Sequence, residues 1–231
     1  MTMKTVGLWG GTTWHATLEY YRQFNEGIVA RLGPQHSGRM IIHSVDFDDI
    51  ATPARTDDFP AVIALGQRVV RSLEAAGADC VMFGANTLHR FAPEILQATK
   101  LPFVDIVECT VDAIRDRGIG SVALLGTRLT MQDDFFTGRL ARAGIRALVP
   151  EVEQVDRLHR IIVEELSAGR FTDEHRGAFG AAVDELVGRG AEGVILGCTE
   201  LPILFRGATL PVPAFDTLRL HVLKAVDFAL G

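Results

Sequence analysis

Two stretches of this 231-residue chain occur twice, and the repetition limits the possible folds more than any other feature. Thr5-Val6-Gly7-Leu8-Trp9-Gly10-Gly11 is echoed 116 residues later by Ser121-Val122-Ala123-Leu124-Leu125-Gly126-Thr127. Ala76-Gly77-Ala78-Asp79-Cys80-Val81-Met82-Phe83-Gly84 is echoed after 113 residues by Arg189-Gly190-Ala191-Glu192-Gly193-Val194-Ile195-Leu196-Gly197. Offsets that nearly agree predict two related halves facing each other across a cleft. Each echoed piece is a short apolar run closing on glycine, and such runs alternate with stretches of helical period. That is the pattern of parallel strands joined by crossover helices, so the expected class is α/β.

Strands are expected at Thr5–Trp9, Met40–Val45, Cys80–Phe83, Phe103–Ile106, Ser121–Leu125, Arg146–Val149 and Val194–Leu196, with a short one near Val212. Helices are expected at Pro60–Ala76, where Ile63, Leu65, Val69, Val70 and Leu73 share one face, and at Val155–Leu166 and Glu174–Val187. The first half is expected over residues 1–115, completed by a segment from about 208 to 231, and the second over 116–207.

Composition narrows the class of partner. With 48% hydrophobic and 23% charged residues the chain has no room for long disorder. A net charge of −6 argues against nucleic acid and anionic membrane surfaces, which need clustered Lys and Arg. Cys80, Cys109 and Cys198 are too few and too scattered for a disulfide framework, and no Cys/His cluster suggests a metal site. Neither a signal peptide nor a long apolar span is present, so the expected location is the cytoplasm.

In open α/β sheets ligands bind beyond the carboxyl ends of strands. Four loops are expected there: Gly10-Gly11-Thr12-Thr13, Gly84-Ala85-Asn86-Thr87, Gly126-Thr127-Arg128-Leu129-Thr130 and Gly197-Cys198-Thr199-Glu200. Each leads from a strand into an expected helix, so free amides and a helix dipole would favour a carboxylate or phosphate. Without GxGxxG or a Walker A, a small carboxylate is the better expectation. That place can lower the Cys198 thiol pKa and create a thiolate able to accept or donate a proton, while a lone cysteine is more often a buried small hydrophobe. Cys80 and Cys109 read as packing residues.

These motifs resemble, along nearly the whole chain, the cofactor-independent aspartate/glutamate racemases. The resemblance is carried by Thr5–Gly11 with Glu19-Tyr20-Tyr21, Ser44-Val45-Asp46-Phe47, Asn86-Thr87-Leu88-His89, Leu125-Gly126-Thr127 with Thr130-Met131, Leu196–Glu200 and Phe215-Asp216-Thr217. It implies two flavodoxin-like halves related by a pseudo-twofold axis, an amino acid or similar carboxylate as substrate, neither metal nor pyridoxal phosphate, and a homodimer. In that family two cysteines flank the substrate α-carbon, one removing the proton and the other delivering one to the opposite face. The second carries over to Cys198, and the first falls on Gly84.

Glycine transfers no proton, so three outcomes stand: a racemase with an asymmetric single-cysteine site, a one-base enzyme resembling arylmalonate decarboxylase, or a weak or inactive ligand-binding relative. The retained Asn86-Thr87-Leu88-His89 and Cys198-Thr199-Glu200 rank the racemase first. By resemblance, Asn86, Thr87, Thr127 and Thr199 hold the α-carboxylate and ammonium, and Thr12 and Thr13 are expected to bind substrate as well. Arg55, in a loop Pro53-Ala54-Arg55-Thr56, grips a distal carboxylate, and the lysine that assists it is replaced by Ser167. His89 and His159 read as structural. Trp9, Trp14, Tyr20 and Tyr21 read as core or dimer contacts.

Overall fold

The computed structural model describes residues 2–231 and divides into two units, one running to Asp105 and taking in His221–Gly231, the other Ile106–Leu220. The first contains β1 (Val6–Gly10), α1 (Trp14–Leu32), β2 (Met40–Ser44), α2 (Asp48–Arg55), α3 (Phe59–Ala75), β3 (Cys80–Phe83), a 3-10 turn over Thr87–Phe91 and α4 (Ala92–Ile95). The second contains α5 (Ile106–Asp116), β4 (Ser121–Gly126), α6 (Arg128–Gln132), α7 (Asp134–Arg142), β5 (Arg146–Leu148), α8 (Val152–Arg160), a π-helical turn over Ile161–Leu166, α9 (Asp173–Gly188), β6 (Gly193–Gly197), α10 (Leu201–Leu204) and β7 (Ala214–Asp216). α11 (Thr217–Leu230) runs across the division.

The sheets are ordered β2-β1-β3 and β5-β4-β6-β7, and every pairing is parallel. The first three strands of each unit thus take the same order, which is the internal repeat expressed as topology. β1, β3 and β6 are buried along their whole length, because helices cover both faces of a parallel sheet; hence they read as unbroken apolar runs rather than alternating ones. α3 supplies one such cover: Asp58 caps it at the Ala61 amide, Pro60 sits in its first turn, and Val62, Leu65, Val69, Val70 and Leu73 pack with Trp9, Val81 and Phe83.

Two expected strands are corrected. Phe103–Ile106 is not a strand: Phe103 makes a single parallel bridge to Val81, and Ile106 already begins α5. Pro102 accepts from the Val81 amide but has no N–H to extend the ladder. The strand expected near Val212 lies at Ala214–Asp216, past two prolines, Pro211 and Pro213, that cannot donate. Among the described residues no helix is long and apolar enough to cross a membrane.

A buried polar tie fastens α11 to the first unit. The carbonyl of Val104 can only accept, so His221 Nε2–H donates to it (2.7 Å), and Nδ1 then accepts from the Tyr20 hydroxyl (3.0 Å). Burial, reinforced by the neighbouring His89 and opposed by the Val104 bond and Asp105, lowers the His221 pKa to about 3. A histidine lowered on folding contributes stability that is complete above its unfolded pKa and is lost as pH falls from about 6.5 toward the folded value. Stability should therefore drop by about 2 kcal/mol between pH 7 and pH 4.5 from this group. In His221→Gln, whose amide can donate to Val104 and accept from Tyr20, urea melts should show that part of the acid sensitivity removed; an unchanged pH slope would contradict the assignment.

Candidate active site

In the second unit the register pairs Gly126 with Gly197, so β4 and β6 end side by side and release their loops at the same edge of the sheet. A Cβ on Gly197 would lie 2.7 Å from the Leu125 carbonyl oxygen, so only glycine lets the strands close there. Cys198 follows at once. Cys198, Thr199 and Glu200 are all buried, at 7%, 5% and 3% exposure. The Glu200 side chain folds back, and its Oε2 accepts from both Cys198 Sγ–H and the Thr199 hydroxyl, each at 2.9 Å. Thr217, fully buried, ties this loop from behind by donating to the Leu196 carbonyl (2.9 Å).

This geometry runs against a lowered thiol pKa at rest. α10 is only four residues long, too short for a substantial dipole. Burial pushes the Cys198 pKa well above the usual thiol range, and the Glu200 carboxylate pushes it the same way by charge and by hydrogen bond. The backbone amides of Glu200 and Thr199 pull in the opposite direction without prevailing. Cys198 is therefore a thiol with a carboxylate in contact. Passing its proton to Glu200 leaves the pair with the same net charge, so the transfer adds no buried charge, and the two amides are placed to support the sulfur anion that results.

The first unit repeats the frame but not the chemistry. Trp9 pairs with Phe83, and the Gly84 amide donates to the Trp9 carbonyl (2.9 Å). A Cβ on Gly84 would lie 2.8 Å from that same carbonyl oxygen, as one on Gly197 would from Leu125. Trp9 and Leu125 are themselves repeat partners, as are Gly10 and Gly126. Gly84 is thus the counterpart of Gly197, and the residue in the place of Cys198 is Ala85. The expected position of the missing cysteine moves by one residue. Asn86 stands in the place of Thr199 and Thr87 in that of Glu200, so the first unit carries neither the thiol nor the carboxylate.

The Thr12 hydroxyl donates to the Gly84 carbonyl (2.9 Å), bringing two of the expected loops of this unit together. The preceding Gly11 has φ +82° and packs against Val45, leaving no room for a side chain. Thr13 caps α1 at the Ala16 amide (3.2 Å). Asn86 is buried and Thr87 opens the 3-10 turn. His89 Nδ1–H donates to the Ala85 carbonyl (2.9 Å) and its ring packs against Phe83 and Phe103. It braces the loop.

Thr127 caps α6, accepting from the Thr130 amide (3.3 Å). His159 Nδ1 accepts from the Arg128 amide (3.3 Å), and the Arg128 guanidinium is paired with Asp156 (2.8 Å). Burial, then Arg128, lowers the His159 pKa, so it is neutral and able to accept. Arg55 is not in a loop: α2 continues through Pro53, and Arg55 is exposed in its last turn. Ser167 spends its hydroxyl on the Val163 carbonyl (2.6 Å). Cys80 and Cys109 are buried, and burial pushes Cys80 up to about 12. Among the described residues, no group of three or more His, Cys, Asp or Glu is placed to hold a metal ion. Glu200 is the residue that sequence reasoning passed over, although it stands two positions after the cysteine in the quoted motif.

Comparison with known proteins agrees with this frame. A protein of Yersinia pestis crystallised as a candidate Asp/Glu racemase is 37% identical with a TM-score of 0.90, covering 99% of this chain and 100% of its own. The broad specificity amino-acid racemase RacX of Bacillus subtilis is 24% identical over 215 residues, 83% of this chain and 92% of RacX. A glutamate racemase of Herpetosiphon aurantiacus is 28% identical over 146 residues, 62% of this chain but only 55% of that protein. The profile of the family described as Asp/Glu/Hydantoin racemase matches residues 10–225, nearly end to end. With most of both halves inside that match and the Cys198 loop among the matched residues, the chain is a member of the Asp/Glu/Hydantoin racemase family.

Proposed function

We propose that the protein is a cofactor-independent amino-acid racemase or epimerase that works with one thiol, Cys198, served by Glu200. The observation that carries the reading is the buried Cys198–Glu200 hydrogen bond, with an alanine rather than a thiol at the matching position of the repeat. Glu200 takes the thiol proton, the thiolate removes the α-proton from one enantiomer, and in the opposite direction the thiol delivers a proton to the same face. The opposite face has no thiol, and there a hydroxyl or a water held by one exchanges the proton. Thr127, Thr199 and Asn86 present donors to the α-carboxylate as it gains enolate character, and Thr13 holds the adjoining loop. With Arg55 exposed on α2 and Ser167 in the place of the assisting lysine, a preference for a second carboxylate has no support, and the name of RacX argues for a wider set of amino acids.

The single-cysteine decarboxylase is the second reading. It rested on a glycine opposite the thiol, and assigning Ala85 to that place weakens it. A chiral-chromatography screen of D- and L-amino acids without added cofactor, run beside disubstituted malonates, separates the two. Interconversion of an amino acid is expected; carbon dioxide release from a malonate without interconversion would favour the decarboxylase, and tight binding without turnover the inactive relative.

Glu200→Gln keeps an acceptor for the thiol but cannot take its proton. Turnover at neutral pH should fall about 10²-fold, the lower end of what a positioned base contributes. The remaining activity should climb with pH, since the proton must then go to water. A pH profile parallel to that of the native protein would show that Glu200 only packs.

A further inference from the structure

Thr199 has one hydroxyl proton to give and, in the proposed reaction, two acceptors for it. In the structure the hydroxyl donates to Glu200 Oε2 (2.9 Å), the same oxygen that accepts from Cys198 Sγ–H (2.9 Å). All three residues are buried. A hydroxyl carries a single donor hydrogen, so while it serves Glu200 it is not serving the α-carboxylate. The bond also bears on the thiol. A carboxylate that holds fewer donors takes a proton more readily, so the Thr199 hydroxyl works against transfer from Cys198 to Glu200.

We propose that Thr199 is a positioning residue that couples arrival of a carboxylate to formation of the Cys198 thiolate, a step within the single-thiol reaction proposed above and resting on it. When a carboxylate enters, the Thr199 O–H turns to it by rotation about the Cβ–Oγ1 bond, and Glu200 loses a donor. The S–H bond then breaks: the electron pair stays on sulfur and the proton joins Glu200 Oε2. The new O–H donates to Thr199 Oγ1, so the 2.9 Å contact is kept with its direction reversed. One negative charge is present in the pair before and after, so the move adds no buried charge. The amides of Thr199 and Glu200, which already favour the sulfur anion, receive it. After the thiolate has taken the α-proton sulfur is a thiol again, and the proton on Glu200 replaces the one given up on the opposite face.

The loop is built so that only the hydroxyl needs to turn. Thr217 holds the Leu196 carbonyl (2.9 Å), and the Leu201 amide donates to the Cys198 carbonyl (3.1 Å), which fixes the backbone on either side of Thr199. The consequence is protective. A thiolate is the form that oxidants and electrophiles attack, and an empty site holds the thiol.

Thr199→Val, which lacks the hydroxyl, and Thr199→Ser, which keeps it, test the coupling in a Cys80→Ala, Cys109→Ala background where Cys198 is the remaining thiol. Without ligand at neutral pH, iodoacetamide should alkylate Thr199→Val about tenfold faster than the protein with Thr199 and Thr199→Ser at the same rate as it, the lower end of what a hydrogen bond to a charged group contributes. The ultraviolet thiolate absorbance of Thr199→Val should be flat across neutral pH, because the proton moves within the pair rather than to water. Adding Glu200→Gln should make it climb with pH, as a merely loosened loop would in Thr199→Val itself. Acetate, or 2-methylalanine, which has no α-proton to lose, should raise the thiolate absorbance when Thr199 is present and leave that of Thr199→Val unchanged. Alkylation of Thr199→Val at the unmodified rate, or a thiolate signal indifferent to both carboxylates with Thr199 in place, would overturn the coupling. None of these readouts needs turnover, so they fail separately from the racemase reading, which is decided by interconversion in the chiral screen. If Thr199→Val does not fold, the carboxylate response with Thr199 and with Thr199→Ser still decides.

Discussion

Replacing Cys198 with alanine should remove α-proton exchange with deuterated water by a factor of at least about 10³ while leaving the fold in place. The expected size follows from role: in the proposed reaction every turnover passes through this sulfur, in one direction as base and in the other as acid, and no second thiol can substitute. Cys80 and Cys109 are buried in their own packing. Cys80→Ala and Cys109→Ala should keep substrate turnover within a few-fold and appear instead as modest losses of stability. Cys198→Ser is the sharper variant, because its hydroxyl can still donate to Glu200 yet is far less acidic than a thiol, so it should bind substrate and exchange almost nothing. Exchange at the native rate in Cys198→Ala, with folding confirmed by circular dichroism, would remove the chemical role of this residue.

The second large effect is a gain. Ala85→Cys puts a thiol where the repeat puts Cys198 in the other half, on a residue that already has a Cβ, so the backbone need not move. Racemisation should rise about 10²-fold, the lower end of what a positioned general acid or base supplies. Gly84→Cys is the informative contrast. Its Cβ would sit 2.8 Å from the Trp9 carbonyl oxygen, forcing β1 and β3 apart at a cost of about 1–3 kcal/mol, so it should lower the melting temperature and give no such gain. A gain in Gly84→Cys and none in Ala85→Cys would reverse the alignment of the two halves.

Much of the fold was legible because the repeat and the apolar runs are properties of local sequence, and parallel strands covered on both faces announce themselves as continuous hydrophobic segments. The shift from Gly84 to Ala85 was legible too. The 113-residue offset already set Gly84 against Gly197, but a motif judged by its glycine concealed that the thiol sits one residue beyond. Other features needed coordinates. Pro53 reads as the start of a loop, yet α2 carries two residues past it, which moves Arg55 onto a helix. That α10 stops after four residues decides whether a dipole can lower a thiol pKa, and no periodicity reports such a length. The state of Cys198 depends on the rotamer of Glu200, which folds back over two residues. His221 meets Tyr20 and Val104 across 201 and 117 positions of chain, beyond any local pattern.

The central claim is that one face of the substrate α-carbon meets a thiol and the other does not. Once the chiral screen has identified the substrate, its two enantiomers should be incubated separately with the native protein in deuterated water, and the initial exchange of the α-proton followed by NMR. In one direction the thiolate of Cys198 removes the proton directly, and in the other a hydroxyl or water must, so the account predicts that washout from the first enantiomer outpaces that from its mirror image by at least tenfold. Ala85→Cys should bring the two rates together. Equal rates from both enantiomers in the native protein, unchanged by Ala85→Cys, would contradict it.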